Sequence, residues 1–143
     1  MSAPTSVILF GSESLTIEAG RQMIARGYTL RAVVTHSDDV RIWALENSLK
    51  VLPFGNDLST DLDTPVDWVF SVANLEMLSD DILALGTKGA INFHDGPLPR
   101  YAGLNAPVWA LLNGEERHGI TWHLIEGGVD EGRIFAQESF AIN

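Results

Sequence analysis

The run Ser6-Val7-Ile8-Leu9-Phe10-Gly11 constrains the fold of this chain more than any other stretch. Four consecutive apolar residues in a strand present apolar groups to both sides, so such a strand must be covered on both faces. The glycine that follows lets the chain turn away at once. Shorter apolar runs recur at residues 30–35, 51–54, 68–72 and 90–94, predicting four further strands. Helical segments fit between them. One is capped by Ser12 or Ser14 and stopped at Gly27, and another has Asp38 and Asp39 as candidate caps and runs to about Asn47. Residues 55–65 read as a polar loop, and Ser79-Asp80-Asp81 opens a brief helix. Asn105 looks like an N-cap with Pro107 in the first turn, and that helix ends at Gly114. The last strands are 119–125 and 133–140, joined by the loop 126–132, and periodicity leaves open whether they pair as a hairpin. This alternation predicts an α/β, Rossmann-like fold: a mostly parallel twisted sheet with helices on both faces.

The 143 residues suit one domain with a real core, and 45% hydrophobic against 20% charged residues argues against disorder. No apolar stretch is long enough to span a bilayer, and Met1-Ser2-Ala3-Pro4 lacks the basic start of a secretion signal. The absence of cysteine excludes disulfides, thiolate catalysis and cysteine-ligated zinc, and agrees with a cytoplasmic location. A net charge of −10 with nine scattered basic residues weighs against a nucleic-acid-binding face. The sequence ends straight after a strand, without a final helix to cover that side. A fragment of a longer protein is therefore expected.

Ligands of open α/β sheets bind beyond the carboxyl ends of strands. Asn92 and His94 lie two apart at such an end, so their side chains share one face. The segment Asp95-Gly96-Pro97-Leu98-Pro99 then fixes the path of the outgoing loop. An amide donor beside an imidazole can do chemistry. It can equally satisfy backbone groups of the loop, and the residues alone leave both readings open. His118 and His123 are an odd five apart, which sends them to opposite faces and makes a shared zinc improbable. They read as surface or half-buried residues, and His36, near Asp38 and Asp39, as a loop residue first and a ligand-adjacent residue second. Gly11-Ser12-Glu13-Ser14 is neither a dinucleotide fingerprint nor a P-loop, and no Gly-x-Ser-x-Gly elbow exists, so dehydrogenase, NTPase and serine hydrolase readings lose support. The segment Glu126-Gly127-Gly128-Val129-Asp130-Glu131-Gly132 is common turn chemistry, yet its three glycines also permit close approach by a ligand.

Asn92-Phe93-His94, Leu98-Pro99, Gly103 and Val129-Asp130-Glu131-Gly132, in this order and spacing, resemble the formyltransferases that use 10-formyltetrahydrofolate. Those act on glycinamide ribonucleotide, methionyl-tRNA or amino sugars. Residues 70–83 are similar to the strand and helix before that family's active site, and residues 6–11 to its first strand. The resemblance implies a formyltransferase N-terminal domain over residues 1–143 that lacks its last helix. It also implies a catalytic set of Asn92, His94 and Asp130. Asn92 and a protonated His94 would stabilise charge on the formyl oxygen. Asp130 would orient His94 and favour its protonated form, or hold a proton-relaying water. Donor-binding positions carried over are Glu76, Met77, Leu78, Glu126, Gly127, Gly128 and Val129, acting through their backbones. Pro97, Leu98, Gly103, Leu104 and Asn105 fall on the acceptor side, and no metal is implied. Here the chain departs from the family: Gly96-Pro97-Leu98-Pro99 stands where Ser-Leu-Leu-Pro is frequent, and Leu104-Asn105-Ala106-Pro107 where some relatives place a ligand-contacting arginine. The variant is similar to formyltransferase-like domains that begin nonribosomal peptide synthetases, which implies an aminoacyl group on a carrier domain, or an amino sugar, as acceptor. Hydrolysis of the same donor, and a non-catalytic folate- or carrier-binding relative, are the alternatives. Acidic charge disfavours tRNA.

Overall fold

The structure, a computed structural model, describes residues 3–55, 57–126 and 132–142. The chain divides into two compact units, one up to Ala90 and one from Ile91 onward.

The first unit contains β1 (Ser6–Phe10), α1 (Ser14–Ala25), β2 (Thr29–Val34), α2 (Asp38–Glu46), β3 (Val51–Leu52), α3 (Leu58–Asp61), β4 (Val66–Ser71) and α4 (Asp80–Leu83). β1 pairs in parallel with both β2 and β4, and β2 with β3. Val7, Leu9 and Phe10 have no exposed surface, as a doubly covered strand requires. α1 lies close to α2 because position 20 is a glycine: a Cβ there would come within 2.3 Å of Trp43 Cη2. The fully buried Thr16 donates its hydroxyl to Val72 O at 2.7 Å, tying α1 to the end of β4.

Several predicted boundaries shift, each for a local reason. Neither Ser12 nor Ser14 caps α1. Glu13 holds the N-cap position and its N–H donates to Thr16 Oγ1, while Ser12 Oγ accepts from His36 N at 2.9 Å. α2 is capped by Ser37, which accepts from Val40 N, so Asp38 and Asp39 form its first turn and favour its positive end. β3 ends at Leu52 instead of residue 54, since Phe54 leaves the ladder to stack under His36. The loop after it contains the one-turn α3. Ser79 caps α4 as expected.

β5 (Gly86–His94) starts four residues earlier than the apolar pattern implies. Thr87 donates its hydroxyl to Val66 O, so the polar start of the strand is anchored by hydrogen bonding instead of burial. The second unit takes up the end of β5 and adds α5 (Ala106–Leu112), β6 (Arg117–Leu124) and β7 (Ile134–Ala141). β6 is antiparallel to β5 and to β7, so the last two strands do form a hairpin. α5 buries Ala106 and Ala110 and leaves Val108, Trp109, Leu111 and Leu112 exposed.

Candidate active site

Asn92 and His94 occupy the carboxyl end of β5 and face β6 directly, Asn92 opposite His123 and His94 opposite Thr121. The period of a strand puts all four on one face. His123 Nδ1 lies 3.0 Å from Leu124 O, and a carbonyl can only accept, so the proton sits on Nδ1. Nε2 of His123 therefore carries the lone pair and accepts from Asn92 Nδ2 at 3.3 Å. This fixes which way the Asn92 amide points and leaves its second N–H without a partner among the described residues. His94, only 6% exposed, donates from Nε2 to Tyr101 O at 2.6 Å. On the other side of the ring, Asp95 Oδ1 is 3.9 Å from His94 Nδ1.

The loop after β5 is shaped to serve this bond. Gly96 is buried, and a Cβ there would lie 2.8 Å from His94 Nε2 and 2.9 Å from Tyr101 O, so a side chain would crowd this bond. Tyr101 has a positive φ, and its hydroxyl donates to Glu115 at 2.8 Å. That bond, with help from Arg100, holds the Glu115 carboxyl below its ordinary value. Of the positions that the resemblance puts on the acceptor side, Leu98 is buried and Leu104 is exposed. Pro97 Cβ comes close to where Gly119 would carry a side chain. Gly103 and Asn105 both adopt positive φ. Asn105, which tolerates that region, stands at the N-cap of α5 without a capping side-chain bond, contrary to the usual extended N-cap.

Of the glycine loop, Gly127, Gly128, Val129 and Asp130 lie outside the described residues. Its two ends are fixed. Arg133 donates from its backbone N–H at 3.0 Å and from Nε at 2.8 Å to Glu126 Oε1, and these bonds hold the Glu126 carboxyl below its ordinary value. Gly132 packs so closely on Leu124 O that any side chain would collide.

In the first unit, Asn74 clamps Glu76 at both backbone groups, accepting from its N–H at 3.1 Å and donating to its carbonyl at 3.0 Å. The Glu76 carboxylate meets His36 Nε2 at 3.0 Å, and the His36 ring stacks on Phe54. Met77 is 84% exposed, and with Leu78, Glu76, Phe54, Leu58 and Ile82 it lines a pocket of about 260 Å³. His36 is thus a partner of Glu76, one of the positions that the resemblance puts at the donor.

His118 and His123 do fall on opposite faces of β6, but neither is at the surface: they are 5% and 3% exposed. His118 donates from Nε2 to Asp95 O at 2.6 Å between the edges of Tyr101 and Phe140. Sequence reasoning missed His123, Thr121 and Gln137, because their partners lie across strands whose register the apolar pattern does not encode. Among the described residues no group of three His, Asp or Glu could hold a metal ion. Nor is any helix among them long and apolar enough to cross a membrane.

A family model described as formyl transferase matches residues 55–143. The chain belongs to the formyl transferase family. Solved structures show the same fold over nearly its whole length. Phosphoribosylglycinamide formyltransferase from Bacillus halodurans is 22% identical with a TM-score of 0.82, covering 97% of this chain and 81% of that one. Glycinamide ribonucleotide transformylase 1 from Symbiobacterium toebii is 21% identical with a TM-score of 0.81, covering 98% and 74%. A formyltetrahydrofolate deformylase from Pseudomonas syringae pv. tomato is 20% identical with a TM-score of 0.83, covering 99% of this chain and 52% of its own. The seven strands among the described residues of this formyl transferase follow that shared Rossmann-like architecture.

Proposed function

We propose that this formyl transferase moves a formyl group from 10-formyltetrahydrofolate to a primary amine, using Asn92, His94 and Asp130. The observation that carries this reading is the paired, pre-set geometry at the end of β5: an amide whose N–H is aimed by His123, beside an imidazole whose Nε2–H is held by Tyr101 O. As an amine adds to the formyl carbon, charge grows on the formyl oxygen. Asn92 stabilises it by donating its remaining amide N–H, and protonated His94 does so from Nδ1. Asp130 favours that protonated imidazole or relays the proton lost by the amine. The backbones of Glu76, Met77 and Leu78 are donor-binding groups in this reading, supported by the Asn74 clamp that keeps Glu76 in place. So are those of Glu126, Gly127, Gly128 and Val129. The proposed acceptor is an aminoacyl group on a peptide-synthetase carrier domain or an amino sugar, with Pro97, Leu98, Gly103, Leu104 and Asn105 on its side. Support for this is the sequence of that loop, which differs from the common family pattern.

Incubation with 10-formyltetrahydrofolate and candidate amines, read by mass spectrometry, tests this: the amine gains one formyl group with wild-type protein and not with folded His94→Ala. Full activity of that variant sinks the assignment. A second reading is hydrolysis of the donor, favoured by the fold shared with the deformylase. Formate release independent of any amine would select it.

A further inference from the structure

The loop leaving β5 has its carbonyls captured one after another. Asp95 O accepts from His118 Nε2 at 2.6 Å, Gly96 O from Thr121 Oγ1 at 2.7 Å, Leu98 O from Gln137 Nε2 at 2.7 Å, and Tyr101 O from His94 Nε2 at 2.6 Å. Three of these donors form a single row across the sheet of the second unit: His94 pairs with Thr121, and Thr121 with Gln137. Thr121 and Gln137 use their hydrogen-bonding groups together. Thr121 Oγ1 gives its one proton to Gly96 O and accepts from Leu98 N at 3.2 Å and Gln137 Nε2 at 2.9 Å. Gln137 spends both amide protons, on Leu98 O and on Thr121 Oγ1.

From this network we infer that Gln137 is a positioning residue for the proposed reaction. Through Thr121 and Leu98 it holds the loop so that the Tyr101 carbonyl keeps a His94 proton on Nε2. A glutamate at 137 has the right length but no protons, and an asparagine is too short to span both acceptors, so the requirement is for glutamine itself. The inference rests on the proposed formyl-transfer reading for its kinetic consequence only, because the proton's location is a property of the free protein.

The test compares wild type, Gln137→Met, Gln137→Glu and Thr121→Ser by ¹⁵N NMR of the His94 imidazole, with folding checked by circular dichroism. Wild type and Thr121→Ser, which keeps the hydroxyl, should show the proton on Nε2. The two Gln137 variants should show it shared between both nitrogens. Their kcat should fall about tenfold to a hundredfold, while binding of a folate analogue by calorimetry stays unchanged, because displacements near 1 Å at a reacting group cost this much. A folded Gln137→Met with the wild-type His94 signature overturns the inference. If that variant does not fold, Gln137→Glu decides by the same signature, and misfolding of both shows a structural role and equally overturns it. Wild-type protein that transfers no formyl group defeats the functional reading alone, since the NMR result still stands.

Discussion

Asn92 and His123 face each other across the β5–β6 ladder, and the amide of one donates to the ring of the other at 3.3 Å. The direction of this bond follows from Leu124 O, which takes the other ring proton. Replacing Asn92 by Asp keeps the shape and removes the donor. The expected result is a loss in kcat of about 10²–10³, with little change in folate-analogue affinity. Steady-state kinetics beside calorimetry checks it, and an unchanged kcat would remove Asn92 from the reaction. His123→Phe should also lower kcat, since the amide loses the acceptor that orients it.

Gly96→Ala places a methyl 2.8 Å from His94 Nε2 and 2.9 Å from Tyr101 O. Neither can retreat while their mutual bond persists. The substitution should cost about 1–3 kcal/mol, as overpacking does. Urea unfolding measures that cost, and activity per folded molecule should fall with it. A neutral variant would mean that the loop can take another path.

Gly20→Ala is the matching control. Its Cβ meets the Trp43 ring at 2.3 Å in the α1–α2 contact, and a destabilisation of about 1–3 kcal/mol is expected there too. Activity per folded molecule should stay at the wild-type level. Loss of activity without loss of stability would contradict the separation of helix packing from chemistry.

Asp67 gives a pH prediction. Its carboxyl is held below the ordinary value of 3.8, first by the backbone N–H of Ser6 and also by Lys88. A carboxylate depressed in the folded state binds fewer protons there than in the unfolded chain. Its stabilising contribution is full above 3.8 and is lost as pH falls through the lower folded value. Asp67→Asn should therefore flatten the acid limb of stability below pH 4 and leave its neutral shape alone. Thermal unfolding across pH 2–6 shows whether the limb changes.

How much the chain disclosed in advance depended on the kind of signal. The strand Ser6–Phe10 was legible because burial on both faces demands a continuous apolar run, and the turn at Gly27 because positive φ favours glycine. Caps were harder, since Ser12 has the right side chain for capping α1 but is used by the chain after β2. The polar start of β5 was invisible to an apolar pattern. Asn92 and His94 could be paired from spacing within one strand. His123, Thr121 and Gln137 could not, as they act across strands, where a one-residue slip in register would give each a different neighbour. Asp130 was reached through family resemblance and lies outside the described residues.

The loop from Asp95 to Tyr101 is held by its main chain, and its captors sit on β5, β6 and β7. Its route is thus specified by residues it does not contain. The exposed side chain of Leu104, just beyond the loop, can be randomised as a library while those captors remain constant. In the proposed reaction, amine selectivity then becomes a surface to be rewritten, with the proposed catalytic residues behind it left in place.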